Sequence, residues 1–445
     1  MKKFLVISLA LVLVLAMSII GCGGGGTGAP TQVLLGTVLP ETGTFSGFGQ
    51  ELFGMQKAVA DQNALGGIYL SKWNVTVPVV LVDKNCESDF SKVGPLSTDL
   101  VVTNKVNALI SPDAPCDLHD PTSVVANQYH VPQIICGGPF EPWYFGMRSN
   151  STWPYSWFSG FAIGMPQDAP RNIPGYTMVD SWFSYMDAVN ASTQTNKIVG
   201  IFASSDSDGI GWYATFPGIL TDHGYTVANV SGLFPMTLPQ DFSAMISGWK
   251  AANVTILWGN CPGAHFGALW SQCYAAGFRP KICLAARAAL FPVDVNSWGT
   301  TPPLGWGVGC EVWWSPNYTV ANGFVGIGNR TAASLAADWY GATGQGLNRG
   351  IGHGYEGVQI MLDAIKRAGD VDPVAVNAAL AATDLDTISG WVNFNSTTHF
   401  SAIPLAFGQW FFDNVTKTFT QYITASTLAI IPQEAAPLFP INTLF

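Results

Sequence analysis

The sequence predicts an α/β protein made of two doubly wound parallel-sheet lobes. Two observations carry that prediction. Short apolar segments alternate with amphipathic ones along residues 33–136, and the same rhythm restarts at 197 after an interruption. The 445 residues exceed an ordinary single domain, and 48% hydrophobic against 11% charged residues supplies apolar matter for a large core.

The chain opens on Lys2 and Lys3, followed by an almost wholly apolar run from Phe4 to Ile20 and by Gly21 directly before Cys22. That is the grammar of a secretory signal. A spanning helix needs roughly 20 apolar residues. This run is slightly short, carries Ser8 and Ser18, and ends in the glycines 23–26, which a helix does not tolerate. The pattern resembles a bacterial lipoprotein signal, which implies a signal peptide over 1–21 and acylation of Cys22 as the first mature residue. Residues 22–31 then read as a lipidated, glycine-rich tether. The expected location is extracytoplasmic, anchored by lipid to the bacterial cell membrane at the cell surface or in the periplasm.

Strands are expected at 33–39, 75–82, 106–110 and 132–136, with helices near 49–64, 90–104 and 120–130 between them. Residues 139–185, rich in Trp, Pro, Gly and Ser, show no period and read as a first crossing between lobes plus an irregular insertion. The second set of strands is expected at 197–203, 225–231, 254–258 and 281–286, with helices near 210–223, 240–252 and 263–277. In the last of these helices Phe266, Leu269, Trp270, Cys273 and Tyr274 recur at the spacing of one buried face. A long helix near 353–368 carries Val358, Met361, Leu362 and Ile365 on its core side.

The formal charge of −10 argues against nucleic acid and anionic lipid as partners, since no basic stripe is offered to phosphates. No HExxH, GxSxG or P-loop is present, and the six histidines stand apart without a patterned nucleophile or carboxylate. No enzyme activity, cofactor or metal is therefore expected. Open α/β sheets bind ligands beyond the carboxyl ends of their strands, so the loops there are where a site should lie.

Those loops carry specific wording: "LPETGTFSGFG" into "FGMQKAVADQNALGGI", then "VDKNCESD", "ISPDAPCDLHDP" and "VPQIICGGPFEP". Further on come "DFSAMISGWKAANVTILWGN", "GYEGVQIMLDAIKRAG" and "TISGWVNFN". In order and spacing these resemble the leucine/isoleucine/valine-binding proteins, the branched-chain amino-acid type of ABC-transporter solute-binding protein, over most of residues 33–410. The resemblance implies the type I periplasmic-binding-protein fold, with the lobes joined by a three-strand hinge and a small-molecule ligand trapped between them. Crossings near 165, 314 and 391 would give lobe one as 32–165 plus 315–390 and lobe two as 166–314 plus 391–445. The closed complex would dock on ABC permease transmembrane subunits.

The resemblance also implies a disulfide, since family members can bridge a cysteine after the second strand to one after the third, the places of Cys86 and Cys116. Cys136, Cys261, Cys273, Cys283 and Cys310 remain, an odd number whose pairing the sequence leaves open. None stands in a CxxC or Cys/His metal spacing.

Carried over position by position, the resemblance puts Phe48 against the ligand side chain; a core role is the alternative. Asp117 stands where a serine normally meets the ligand carboxylate, and a carboxylate there would repel it. Gly138 offers backbone amides, and Phe140 replaces a threonine. In lobe two, Asp206 and Asp208 fall in a contact region, where helix capping is the alternative. Asn260 follows the third strand. Arg287 replaces a glutamate that holds the ligand ammonium, and so suits a carboxylate or carbonyl, unless it pairs with Asp206, Asp208 or Asp117. Trp306, Trp313 and Trp314 lie near the second crossing, and His353 and Tyr355 open a helix that usually presents a tyrosine to the cleft. The departures argue against an α-amino acid bound in the usual orientation. They favour a small polar organic solute with a carboxylate or amide, with or without an aromatic ring. A ligand-sensing receptor-type binding protein is the second function considered, and a secreted enzyme the third.

Overall fold

A computed structural model describes residues 28–112, 115–145, 153–163 and 178–444. The signal peptide, Cys22 and the expected crossing at 165 lie outside these residues.

The first sheet is fully parallel. Its central strand β1 (Val33–Leu39) lies between β4 (Val79–Asn85) and β5 (Ala108–Ser111), and β6 (Gln133–Pro139), β7 (Ser156–Phe161) and β16 (Phe400–Ala402) continue beyond β5. Strands β5, β6 and β7 are buried at every position. That is the state of a parallel sheet covered on both faces, and it explains apolar runs without alternation. β2 (Ile68–Leu70) and β3 (Val75–Val77) form a small antiparallel hairpin at one side.

The second sheet repeats the plan. β8 (Ile198–Ser204) pairs in parallel with β9 (Thr226–Val227) and β10 (Leu233–Phe234) on one side and with β11 (Ile256–Asn260) on the other. β12 (Ile282–Ala286) and β13 (Gly309–Val312) follow in parallel. The antiparallel strands β17 (Ala406–Asp413) and β18 (Thr418–Ala425) close that edge. In each sheet the strand order reverses beside the first strand, the place where such sheets open a binding crevice.

The chain passes from the first sheet to the second between Phe161 and Met178, returns after Val312, and passes again between Ala402 and Ala406. The last passage corrects an expectation. Residues 400–402, assigned by the sequence to lobe two, pair with β7 in the first sheet. Lobe one is extended by the hairpin of β14 (Asp384–Thr387) and β15 (Gly390–Asn393), which leads directly into that strand.

The long helix Ile351–Ala368 packs on the helix Leu52–Ala64 and on β6, with Val358, Met361, Leu362 and Ile365 all buried. One large apolar cluster runs through both lobes, and a smaller one gathers Ile135, Phe140, Trp143, Trp153 and Phe158. Among the described residues no helix is long and apolar enough to cross a membrane.

The bridge expected between Cys86 and Cys116 is not present; both are buried and outside any disulfide, as are the other five described cysteines. The two thiols occupy different surroundings. The charges around Cys86 are Asp89 and Lys92, whereas those around Cys116 are Asp208, Asp120 and Asp117.

Candidate ligand-binding cleft

The carboxyl ends of the two sheets face each other across a small cavity. Phe48, Pro115, Pro139 and Phe161 line it from lobe one; Asp208, Trp212, Asn260, Arg287, Leu290, Glu311 and Trp313 line it from the other side. Its volume is about 20 Å³, room for a water molecule or two. The lobes are in contact around it. Ser207 Oγ donates to Asp117 Oδ2 at 2.7 Å, and Phe48 meets Phe291 edge-on, ring centres 4.8 Å apart.

That approach depends on Gly47. A Cβ there would come within 2.3 Å of the Phe291 ring, so any side chain would wedge this corner open. On lobe one, Gly137 and Gly138 both take positive φ, 81° and 79°, and the register of β6 against β7 shifts between Cys136 and Pro139. Two left-handed residues in a row form a bulge that only glycine adopts without strain. Pro139, one residue on, is the part of this loop that reaches the cavity; Gly138 is not in its lining.

The polar floor belongs to lobe two. Arg287, directly after β12, is buried and takes φ 61°, a left-handed conformation rare for a residue with a side chain. Its Nη1 donates to Asp206 Oδ2 at 2.5 Å and its Nη2 to Asp206 Oδ1 at 3.1 Å. Nη2 also donates to Ser204 Oγ at 2.7 Å, and Nη1 lies 3.3 Å from Asp208 Oδ2. Asp206 is at the same time the N-cap of the helix Ser207–Asp222. The pairing alternative for Arg287 and the capping alternative for Asp206 therefore hold together. The pairing stays within one lobe, since Asp117 turns to Ser207.

Asp208 accepts from Trp212 Nε1 at 2.9 Å and from Asn260 Nδ2 at 3.2 Å. Burial pushes the Asp206 carboxyl up, and Arg287, with hydrogen bonds from Ser204 and the backbone, more than reverses this, leaving it below its ordinary range. For Asp208 burial wins over Arg287 and the shift is upward. Three buried polar atoms of lining residues have no partner: Asn260 Oδ1, Arg287 Nε and Trp313 Nε1.

Glu311 on β13 was missed by sequence reasoning. It is buried, accepts from Trp182 Nε1 at 3.3 Å, and burial pushes its carboxyl up to about 7. The signal was present: an acidic residue inside the apolar run 308–314 is rarely buried without a task. Trp212 and Phe161 were missed because aromatic residues are plentiful in this chain and their spacing alone does not separate lining from core.

A family model described as periplasmic binding protein matches residues 32–414. The chain belongs to the periplasmic binding protein family. Solved structures agree in fold. The leucine-binding protein LivK of Thermotoga maritima is 19% identical, with TM-score 0.67, over 89% of this chain and 99% of that one. LivJ of Streptococcus pneumoniae, in complex with isoleucine, is 16% identical with TM-score 0.66, over 88% and 99%. A solute-binding protein of Rhodopseudomonas palustris in complex with 3,4-dihydroxybenzoic acid is 16% identical with TM-score 0.65, over 89% and 99%. No curated protein sequence matches the chain.

Besides Gly138, two more residues carried over from the family pattern, Phe140 and Tyr355, lie outside the cavity lining. Phe140 is 1% exposed in the smaller apolar cluster, 4.3 Å from the Phe400 ring centre and 4.8 Å from that of Tyr144. The bulge at Gly137–Gly138 sends Pro139 to the cavity and leaves Phe140 behind it. Tyr355 is fully buried and donates its hydroxyl to Asp61 Oδ2 at 2.7 Å, so it ties the long helix to Leu52–Ala64 instead of facing the cleft. His353 is sealed nearby, its Nε2 3.4 Å from the Trp313 carbonyl, and burial holds its pKa down at about 4.

Proposed function

We propose that the protein is an extracytoplasmic, lipid-anchored solute-binding component of an ABC importer. It captures a small polar organic solute between its lobes and delivers it to transmembrane permease subunits. The observation that carries this reading is the cavity at the facing carboxyl ends of two parallel sheets, with a buried polar floor on one side and Phe48, Phe161 and Pro139 on the other. A solute touching both sides would favour the state in which Asp117 and Ser207 meet, which is how a two-lobed binder turns occupancy into a shape a partner reads. In this reading Phe48, Asp208, Asn260 and Arg287 contact the solute or its hydration, Asp206 orients Arg287, and Asp117 serves closure. Arg287 is not a free clamp for a carboxylate, because its charge is already engaged.

The lipid anchor is supported by Lys2, Lys3, the apolar run and Gly21-Cys22. Cys22→Ala should move the protein from the membrane fraction to the soluble one. Binding is tested by thermal shift against amino acids, aromatic acids, amides and amines; a solute at a hundredfold excess over its Kd stabilises by about 2.7 kcal/mol. A solute recovered chemically unchanged supports binding, and turnover would favour the enzyme reading. Crosslinking of the loaded protein to permease subunits separates import from sensing.

A further inference from the structure

We propose that the solute taken by this cleft is an organic cation, its nitrogen head seated between Asp208 and Glu311 and faced by the rings of Phe48, Phe161, Trp212 and Trp313. The inference rests on the reading that this cavity is the solute site. Its first support is the charge count. Asp208, Glu311 and Arg287 are the charged residues lining the cavity, and Asp206 stands directly behind Arg287. A single guanidinium thus faces three carboxyl groups, and both its terminal nitrogens are held by Asp206, Ser204 and Asp208. Burial makes Asp208 and Glu311 hold their protons more readily than usual, so an entering cation is what would draw them into their charged form, whereas an entering anion would favour their protonated form and find no guanidinium terminus free to turn toward it.

The second support is independent of charge. Asn260, 1% exposed and in the lining, holds its Oδ1 without a donor. Its own amide nitrogen is committed to Asp208 at 3.2 Å, which fixes the carbonyl oxygen as the free end. A buried acceptor without a partner asks for an N–H or O–H from the solute. The unpartnered Arg287 Nε and Trp313 Nε1 are donors that ask for an acceptor oxygen, which a hydroxyl or carbonyl on the same solute supplies. The third support is the wall. Two rings from each side enclose the cavity, and the face of an aromatic ring attracts a cation and repels a carboxylate. Phe48 and Trp313, from opposite sides, already stand with centres 6.5 Å apart and planes inclined by 30°.

The test uses three probes of nearly one shape: benzylammonium, benzamide and benzoate, titrated calorimetrically into the purified full-length protein, with leucine and 4-hydroxybenzoate as references. Benzylammonium should bind at least tenfold more tightly than benzamide, and benzoate should not bind. Glu311→Gln, which keeps the side-chain shape and removes a buried ionisable carboxyl, should weaken benzylammonium at least tenfold and leave the melting temperature equal or higher. Asp208→Asn serves as a second variant with the same expected loss. Benzoate or 4-hydroxybenzoate binding better than benzylammonium would overturn the cation proposal and leave the solute-binding reading standing. Equal affinity for benzamide and benzylammonium would also overturn it, because charge would then not be recognised. Failure of every probe, together with a flat response across amino acids, amides and amines, would bring down the solute-binding reading itself.

Discussion

Arg287 grips Asp206 with both terminal nitrogens, at 2.5 and 3.1 Å, while Asp206 caps the helix that begins at Ser207. One carboxylate thus fixes both the start of a helix and the direction of a buried guanidinium. Arg287 follows β12 in a left-handed conformation, so backbone strain is held in place by this pairing.

Removing the guanidinium leaves Asp206 and Asp208 buried without their counter-charge. Arg287→Ala should therefore cost about 3–5 kcal/mol of unfolding free energy, the usual penalty for breaking a buried pair from one side. Urea unfolding measures it. A loss below about 1 kcal/mol would mean that water reaches the carboxylates and that the pair is not sealed.

The contact between Asp117 and Ser207 joins the lobes at 2.7 Å. Asp117→Ala removes about 1 kcal/mol from the closed state, which is close to a fivefold loss in affinity at 1.4 kcal/mol per decade. Calorimetry with any bound solute reads the change, and thermal stability without solute should hardly move. An unchanged Kd would place the closing energy elsewhere.

Tyr355 ties two helices of lobe one through Asp61. Tyr355→Phe should lower stability by about 1 kcal/mol and leave solute affinity as it is. A selective loss of affinity would return Tyr355 to the cleft.

Stability should depend on pH through three buried groups, Glu311 in the cleft lining and Glu356 and His353 on the long helix. Glu356 is pushed up to about 8 and Glu311 to about 7, in both cases by burial first; Ser159 donates to Glu356, and the charge of Asp208 adds to the rise at Glu311. An unfolded carboxyl loses its proton near 4.5, while the folded one keeps it until the higher value. The native state therefore binds more protons between those limits, and stability falls as pH rises through them. His353, beside Glu356 and held at about 4, works in reverse, losing stability as pH falls from about 6.5 to 4. The two slopes oppose each other at acid pH, so a net decline is expected between about pH 6.5 and 8. Glu356→Gln should flatten that decline by several degrees in melting temperature. An equally steep decline in the variant would remove Glu356 as its source.

Reducing agent should leave the melting temperature unchanged, because Cys86 and Cys116 are separate thiols. Their burial, which raises both thiol pKa values, predicts slow alkylation in the native state and rapid alkylation after unfolding.

Much of the fold was legible because β1, β8, β11 and β12 are short apolar runs bounded by turn residues, and because the long helix repeats its apolar face every three to four residues. β7 was not, since a strand buried at all six positions, rich in Trp, Phe, Ser and Gly, shows no alternation. The strand at 400–402 was assigned to the wrong sheet because three residues carry no period and partner choice is a tertiary matter. Around the cavity, Phe48, Asp208, Asn260 and Arg287 are lining residues to which the family resemblance points. Phe140 could not be placed from it, because a bulge of two glycines shifts everything after Cys136. Glu311 went unread although it is an acidic residue in an apolar run, because the run does not tell which face of a fully buried strand meets the cavity.

Between Ala402 on one sheet and Ala406 on the other stand only three residues. Four peptide steps reach about 14 Å at full stretch. Such a strap forbids the two bodies from drifting apart and leaves them to swing, like a jaw on its joint. A small rotation at this end becomes a wide gape at the far rim, so the entrance opens by leverage rather than by separation.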